Sequence, residues 1–164
     1  MMRKGNSRPG RTPWIAALLA IPMAAALAAP AHAAPAPADP ILLWNQQTNR
    51  SIQMTSMDPF QATRALALES IAVLDTLRSV AAMPGFMVRL VPPAAIDPAV
   101  AAQAAAHATL VSLFPARRAA LDAAFDTALA AVLADEHRCQ WIAFVEAIAA
   151  AVLAIRDRDG WDHA

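Results

Sequence analysis

Residues Asp58 to Ala81 read DPFQATRALALESIAVLDTLRSVA, and this stretch decides the fold class. It is apolar almost all the way round a helix, yet two arginines and an aspartate share one face. At about 100° per residue, that face falls within roughly 40° of one line and holds Arg64, Leu68, Ile71, Asp75 and Arg78. Buried charges are costly unless they are paired. We therefore expect a helix deep in a bundle, with partners for its charges.

Proline marks the starts of helices along the chain. Asp39-Pro40, Asp58-Pro59 and Asp97-Pro98 each place an aspartate N-cap before a proline, whose missing N–H costs nothing in the first turn. Pro115 opens another helix. Apolar recurrence near 3.6 predicts five helices in all, at Ile41 to Met54, Pro59 to Ala82, Pro98 to Leu113, Ala116 to Ala134 and Glu136 to Arg158.

One long connection separates the second and third of these helices. It runs from Met83 to Ile96, where Pro84-Gly85 and Pro92-Pro93 forbid regular helix. No segment alternates with period two for long enough to be a strand, and Gly160 suits a left-handed C-cap. The sequence therefore predicts an all-α fold, a bundle of about five helices over residues 41–160.

The amino terminus has the pattern of a secretory signal over residues 1–33. A basic start precedes an apolar run from Trp14 to Ala29, and Ala31-His32-Ala33 offers a small-x-small cleavage site. The run is shorter than the roughly 20 residues that span a bilayer, so a retained anchor is the alternative. We expect a periplasmic or secreted protein with no stable membrane span after cleavage, a Pro/Ala-rich leader at 34–40 and a tail at 161–164.

Charge and cysteine content restrict the possible partners. The chain has 13 basic and 13 acidic residues, and losing the signal would leave a net charge of −4. Because no basic patch remains to meet phosphates, a nucleic-acid partner is not expected. Cys139 is the sole cysteine, so export brings no internal disulfide and stability must come from packing.

The polar residues of the helices are candidates for a site. Arg64 and Asp75 are eleven residues apart, about 16 Å along the helix axis, which is too far for one small ligand. Asp75 and Arg78 can pair at i, i+3. We interpret Arg64, Asp75 and Arg78 as structural ion-pairing positions, with a ligand role as the alternative. His107 sits among small and apolar residues, where a hydrogen-bonded core histidine is more common than a base or ligand.

The sequence does not contain the residue spacings that zinc sites, calcium loops and serine hydrolases require. Asp135, Glu136, His137 and Cys139 have no i, i+4 ligand pair for zinc. Asp157-x-Asp159-Gly160 cannot form a calcium loop, because the glycine comes too early. No serine has the G-x-S-x-G context of a hydrolase. We assign no catalytic, cofactor-binding or metal residues to the chain.

The chain resembles the amino-terminal helices of bacterial vanadium-dependent haloperoxidase-like proteins, which belong with the type 2 phosphatidic acid phosphatases. Four blocks carry the resemblance: Ile41-Leu42-Leu43-Trp44-Asn45; Arg64-Ala65-Leu66-Ala67 with Asp75; Ala104-Ala105-Ala106-His107 with Leu110 to Ala130; and Ala151 to Gly160. Where such proteins often show a histidine and a tyrosine, this chain has Ser70 and Leu74. The resemblance covers nearly all of residues 34–164.

The catalytic blocks of that superfamily do not occur in this sequence. They comprise a Lys and Arg-Pro block, a Ser-Gly-His block, and a Ser-Arg block followed by His and Asp; here the only lysine is Lys4. Binding phosphate or vanadate needs several convergent cationic donors, and a histidine must attack phosphorus or bond the metal oxyanion. The resemblance thus implies the scaffold half of such a protein, with vanadate or phosphate bound only if a catalytic half is supplied.

Three functional hypotheses follow. The first is an exported scaffold module, not catalytic alone, that uses an exposed apolar face to meet a catalytic half or a second copy. The second is a periplasmic phosphatase or haloperoxidase-like enzyme acting through His107, Arg64 and Arg78. The third is a small helical binding protein with a groove between its helices.

Overall fold

Five α-helices and one short 3-10 turn build the computed structural model, which describes residues 39–93, 95–130, 138–157 and 159–160, with the backbone alone at 138–139. The helices are α1 (Pro40–Thr55), α2 (Pro59–Val80), α3 (Pro98–Leu113), α4 (Arg118–Ala130) and α5 (Arg138–Arg156); the turn is Pro115–Arg117. No strand occurs in these ranges, so the all-α class is confirmed. The proposed signal, most of the leader, residues 131–137 and the tail lie outside the described residues.

The helix starts follow from their capping residues, as predicted. The Asp58 carboxylate accepts hydrogen bonds from the backbone N–H groups of Phe60 and Gln61, and Asp39 and Asp97 cap α1 and α3 in the same way. Each cap satisfies amides that have no partner within the helix. Gly160 has a φ of 81°, in the left-handed region expected for it.

Helix α3 occupies the centre of the bundle. It packs against α1, α2, α4 and α5, and most of its residues are buried, including the run from Val100 to Ala106. Its alanines let neighbouring helices approach on every side. The expectation that α2 would be the deep helix was wrong in this respect, because α2 buries one face and keeps Phe60 and Leu74 exposed.

The remaining helices close the core around α3. Leu121, Phe125 and Leu129 lie one turn apart on the buried face of α4, and α5 buries Val145, Ile148 and Val152. Within the described ranges, no single helix is both long and apolar enough to cross a bilayer. In the part of the chain that the structure describes, one pair of segments, Pro98–Leu113 and Pro115–Ala130, has that length and apolar composition when taken together, and it is bent by 117°.

Candidate functional site

Asp75 anchors the long connection between α2 and α3. Its carboxylate is fully buried and accepts hydrogen bonds from three successive backbone N–H groups, those of Phe86, Met87 (2.9 Å) and Val88 (2.8 Å). The predicted i, i+3 ion pair is therefore wrong: both carboxylate oxygens bind the connection, and no ion pair among the described residues involves Arg78. We call residues 81–97 the α2–α3 loop.

Two further residues hold this loop in shape. The Ser79 hydroxyl, one turn after Asp75 on α2, accepts a hydrogen bond from the Leu90 N–H (3.3 Å). At Gly85 the chain passes so close to itself that a Cβ atom would lie 2.1 Å from the carbonyl oxygen of Val88. The glycine that the sequence marked as a helix breaker is thus also required by this close approach.

Arg64 joins the first half of α2 to the end of α5. Its Nη1 contacts Asp159 Oδ2 at 2.7 Å, and its Nη2 donates to the Arg156 carbonyl at 2.8 Å. Arg156 also contacts Asp159, at 3.6 Å. The expected structural ion pairing of Arg64 is confirmed, and its partner is 95 residues away in sequence. We call Arg64, Arg156 and Asp159 the α5 clamp.

An open groove lies beside the α5 clamp. It has a volume of about 530 Å³, and its lining combines apolar side chains of α2 with the clamp: Phe60, Thr63, Arg64, Ala67, Leu68, Ile71, Arg156 and Asp159. A smaller cavity of about 170 Å³ also borders Arg64 and Leu68, toward Met57 and Leu113. Leu74 and Ile155 are exposed nearby on the same two helices. We call this surface the α2–α5 groove.

His107 belongs to a separate cluster between α1, α3 and α4. Its Nε2 lies 2.7 Å from Asp122 Oδ1, and its ring stacks on Phe125 with centroids 4.3 Å apart. Trp44 meets the same ring edge-on. His107 is thus hydrogen-bonded, as predicted, and its side chain is 16% exposed. Sequence reasoning missed Asp122, which follows His107 by 15 residues across the turn between α3 and α4.

Glu69 is a buried acid that sequence reasoning also missed. The residue is 3% exposed. Burial raises the pKa of its carboxyl group to about 7, although a hydrogen bond with Ser70 lowers that pKa in part. The signal was present in the spacing, because Glu69 falls on a stripe of small buried α2 residues with Ala65, Ala72, Thr76 and Ser79. A carboxyl group on such a stripe must enter the interior.

The predicted polar positions therefore do not converge on one reactive centre. Arg64 and Asp75 serve different contacts, and His107 pairs with a residue of another helix. Among the described residues, no three His, Cys, Asp or Glu side chains come together as a metal site. The zinc candidates Asp135, Glu136 and His137 lie outside the described residues, as does the Cys139 side chain.

Comparison with known proteins adds no relative: no protein-family model, curated protein or solved structure matches the chain significantly.

Replacing Arg64 by alanine should loosen the end of α5 more than it destabilises the fold. The change removes the bonds to Asp159 and the Arg156 carbonyl, which are partly exposed and together contribute about 1 kcal/mol. Hydrogen exchange at residues 153–157 should accelerate severalfold. The exposed Arg50 provides the control Arg50→Ala, which should leave that exchange unchanged; equal rates in both variants would contradict the clamp.

Proposed function

We propose that this chain is an exported, periplasmic or secreted, helical scaffold module that is not catalytic alone. It uses the α2–α5 groove to seat a helix of a separate catalytic half. The resemblance to the amino-terminal half of haloperoxidase-like and phosphatidic acid phosphatase proteins supports this reading. The structural observation that carries it is an apolar strip left exposed on α2, beside a groove large enough for side chains of another helix.

The exposed strip has the spacing of a helix-binding face. Phe60, Ala67 and Leu74 are exposed and, with the half-buried Ile71, fall within roughly 40° of one line on α2; Phe60 is 75% exposed. Such a strip is the counterpart of the apolar face of an amphipathic helix, which binds a groove through side chains at i, i+3, i+4 and i+7. Exposing an aromatic side chain there does not stabilise the isolated domain, whereas a partner bound over the strip would bury that side chain.

Charge at one end of the groove favours a particular partner helix. The α5 clamp places the partly exposed Arg156 guanidinium at one end of the groove. We expect the seated helix to be apolar on one side and to place an acidic residue near Arg156, whose side chain is 39% exposed. In this proposal the catalytic half supplies the cationic and histidine groups that would hold phosphate or vanadate.

The test begins with the DNA that follows the codon for Ala164. If an adjacent reading frame encodes the lysine, arginine and histidine blocks, its product would be co-expressed with this chain. Light scattering and titration would then measure formation of the complex. Phe60→Ser and Leu74→Ser should each weaken the complex about tenfold. Leu42→Ser changes a leucine on α1 that is more exposed than Leu74 and should have no effect.

Two results would reject this function. The first is the absence of any such frame. The second is a complex whose affinity does not change in Phe60→Ser and Leu74→Ser while both variants remain folded. A homodimer of the chain alone that dissociates in the same two variants would show that a second copy, and not a catalytic half, occupies the groove.

A second function, a periplasmic phosphatase or haloperoxidase-like enzyme, is favoured by one observation. The carboxylate of Asp122 orients the His107 ring, which is the arrangement a general base or nucleophile needs. The purified chain would be assayed with a generic phosphoester, and with bromide, peroxide and vanadate. Turnover that disappears in His107→Ala would support the enzyme; turnover no higher than in that variant would reject it.

A further inference from the structure

The α2–α3 loop presents large apolar side chains to solvent at the far end of α2 from Phe60. Met83, Phe86 and Val91 are 48%, 63% and 81% exposed, respectively. These three lie within nine residues of one another in a segment without helix. Exposed apolar side chains this close together in the sequence indicate an interaction surface.

Four backbone amides of the loop donate hydrogen bonds to side chains of α2. Asp75 accepts from the N–H groups at 86, 87 and 88, and Ser79 accepts from that of Leu90. Irregular backbone enters a lipid environment at high cost when its polar groups lack partners. Here the side chains of α2 provide partners for four amides, and the side chains of Phe86 and Val91 remain on the outside.

Charge identifies the surface that the loop fits. Residues 76–96 contain Arg78 and Arg89, and the acids at either end of this stretch both accept backbone hydrogen bonds, Asp75 from a buried position and Asp97 as the cap of α3. Arg89 is exposed, and its guanidinium also reaches the Ala82 carbonyl at the end of α2 (3.4 Å). A cationic side chain beside exposed apolar ones matches the interface of an anionic bilayer, where headgroups bind the cation and the acyl boundary receives the apolar groups.

We propose that the α2–α3 loop docks the protein onto the surface of an anionic lipid bilayer. Phe86, Met83 and Val91 enter the interface, and Arg89 binds lipid phosphates. Asp75 and Ser79 hold the loop in the conformation that makes this contact inexpensive. The contact is peripheral and reversible, and it uses a surface distinct from the α2–α5 groove.

A fluorescent probe on the loop tests this contact in the full chain. In a Cys139→Ser background, Val91→Cys would be labelled with an environment-sensitive dye and titrated with phosphatidylcholine vesicles containing about one third phosphatidylglycerol. We expect a blue shift and a several-fold intensity increase. Pure phosphatidylcholine should give about a tenfold weaker response, and high salt should weaken the anionic one similarly.

Loop variants and a second label position separate this contact from binding by other parts of the chain. Phe86→Ser and Arg89→Glu, both changes at exposed positions, should each reduce the vesicle affinity reported at position 91 about tenfold. The same dye at Phe60→Cys, about 30 Å away along α2, should not shift.

Three outcomes would overturn the proposal. One is the absence of a spectral shift at position 91 with anionic vesicles. Another is an equal spectral shift at positions 60 and 91 that Phe86→Ser does not change. A different part of the chain would then bind the lipid. The third is a shift that depends on protein concentration without lipid, because it would assign the loop to a contact between two copies.

Discussion

Replacing Asp75 by asparagine should lower the free energy of unfolding by about 3 kcal/mol, because a buried carboxylate with three amide donors is lost. Asparagine offers one carbonyl acceptor, and its NH₂ group would face backbone N–H donors. The remaining bonds would also lose the added strength of an ionised acceptor. Urea denaturation followed by circular dichroism would measure the change.

A control on another helix distinguishes this effect from loss of negative charge. Asp126 is exposed on α4, so Asp126→Asn should change the unfolding free energy by less than about 0.5 kcal/mol. Hydrogen exchange adds a local measurement, since the amides of residues 86–88 should exchange much faster in Asp75→Asn. A loss below about 1 kcal/mol with those amides still protected would show that Asp75 does not anchor the loop.

The helices could be predicted because their signals are local. Each aspartate cap acts on amides two or three residues away, as with Asp58 and the N–H groups of Phe60 and Gln61. Proline at the first helical position adds a restriction that needs no tertiary contact. The start of α3 at Pro98 and its end at Leu113 were therefore predicted correctly.

The position of each helix in the bundle was harder to predict. Helix α2 attracts attention because charges interrupt its apolar pattern, but α3 is uniformly apolar and small, so it has no distinguishing face. The same lack of asymmetry is what lets α3 contact four other helices. A periodic pattern shows which side of a helix is apolar, and it gives no information on how many neighbours cover it.

The partners of the polar residues depended on contacts that sequence spacing does not contain. The i, i+3 spacing predicted an ion pair between Asp75 and Arg78, yet the Asp75 carboxylate accepts hydrogen bonds from backbone amides 11 to 13 residues later. Every residue except proline has a backbone N–H group, so the pattern of side chains does not show which of these groups will bind a carboxylate. Arg64 and Asp159 meet only because α2 and α5 pack together. The sequence thus indicated Arg64, Asp75 and His107 as polar positions in the helices, but it did not indicate the residues that they contact.

Glu69 should make the protein less stable as the pH rises from about 4.5 to about 7. The unfolded chain releases this proton near the ordinary pKa of 4.5, whereas burial raises the folded-state pKa to about 7. Within that window the unfolded state binds fewer protons, so deprotonation favours unfolding. The raised pKa contributes stability fully below pH 4.5, and about 3 kcal/mol of it is lost once the pH exceeds 7.

Glu69→Gln should remove this dependence, because glutamine keeps the shape of the protonated acid and cannot ionise. Urea denaturation at several pH values would give the stability difference between this variant and the parent chain. We expect that difference to move by about 3 kcal/mol in favour of the glutamine variant between pH 4.5 and 7.5. Glu146→Gln, at an exposed position of α5, controls for loss of a charge. A difference that stays constant across the range would mean that Glu69 ionises in the folded protein as easily as in the unfolded chain.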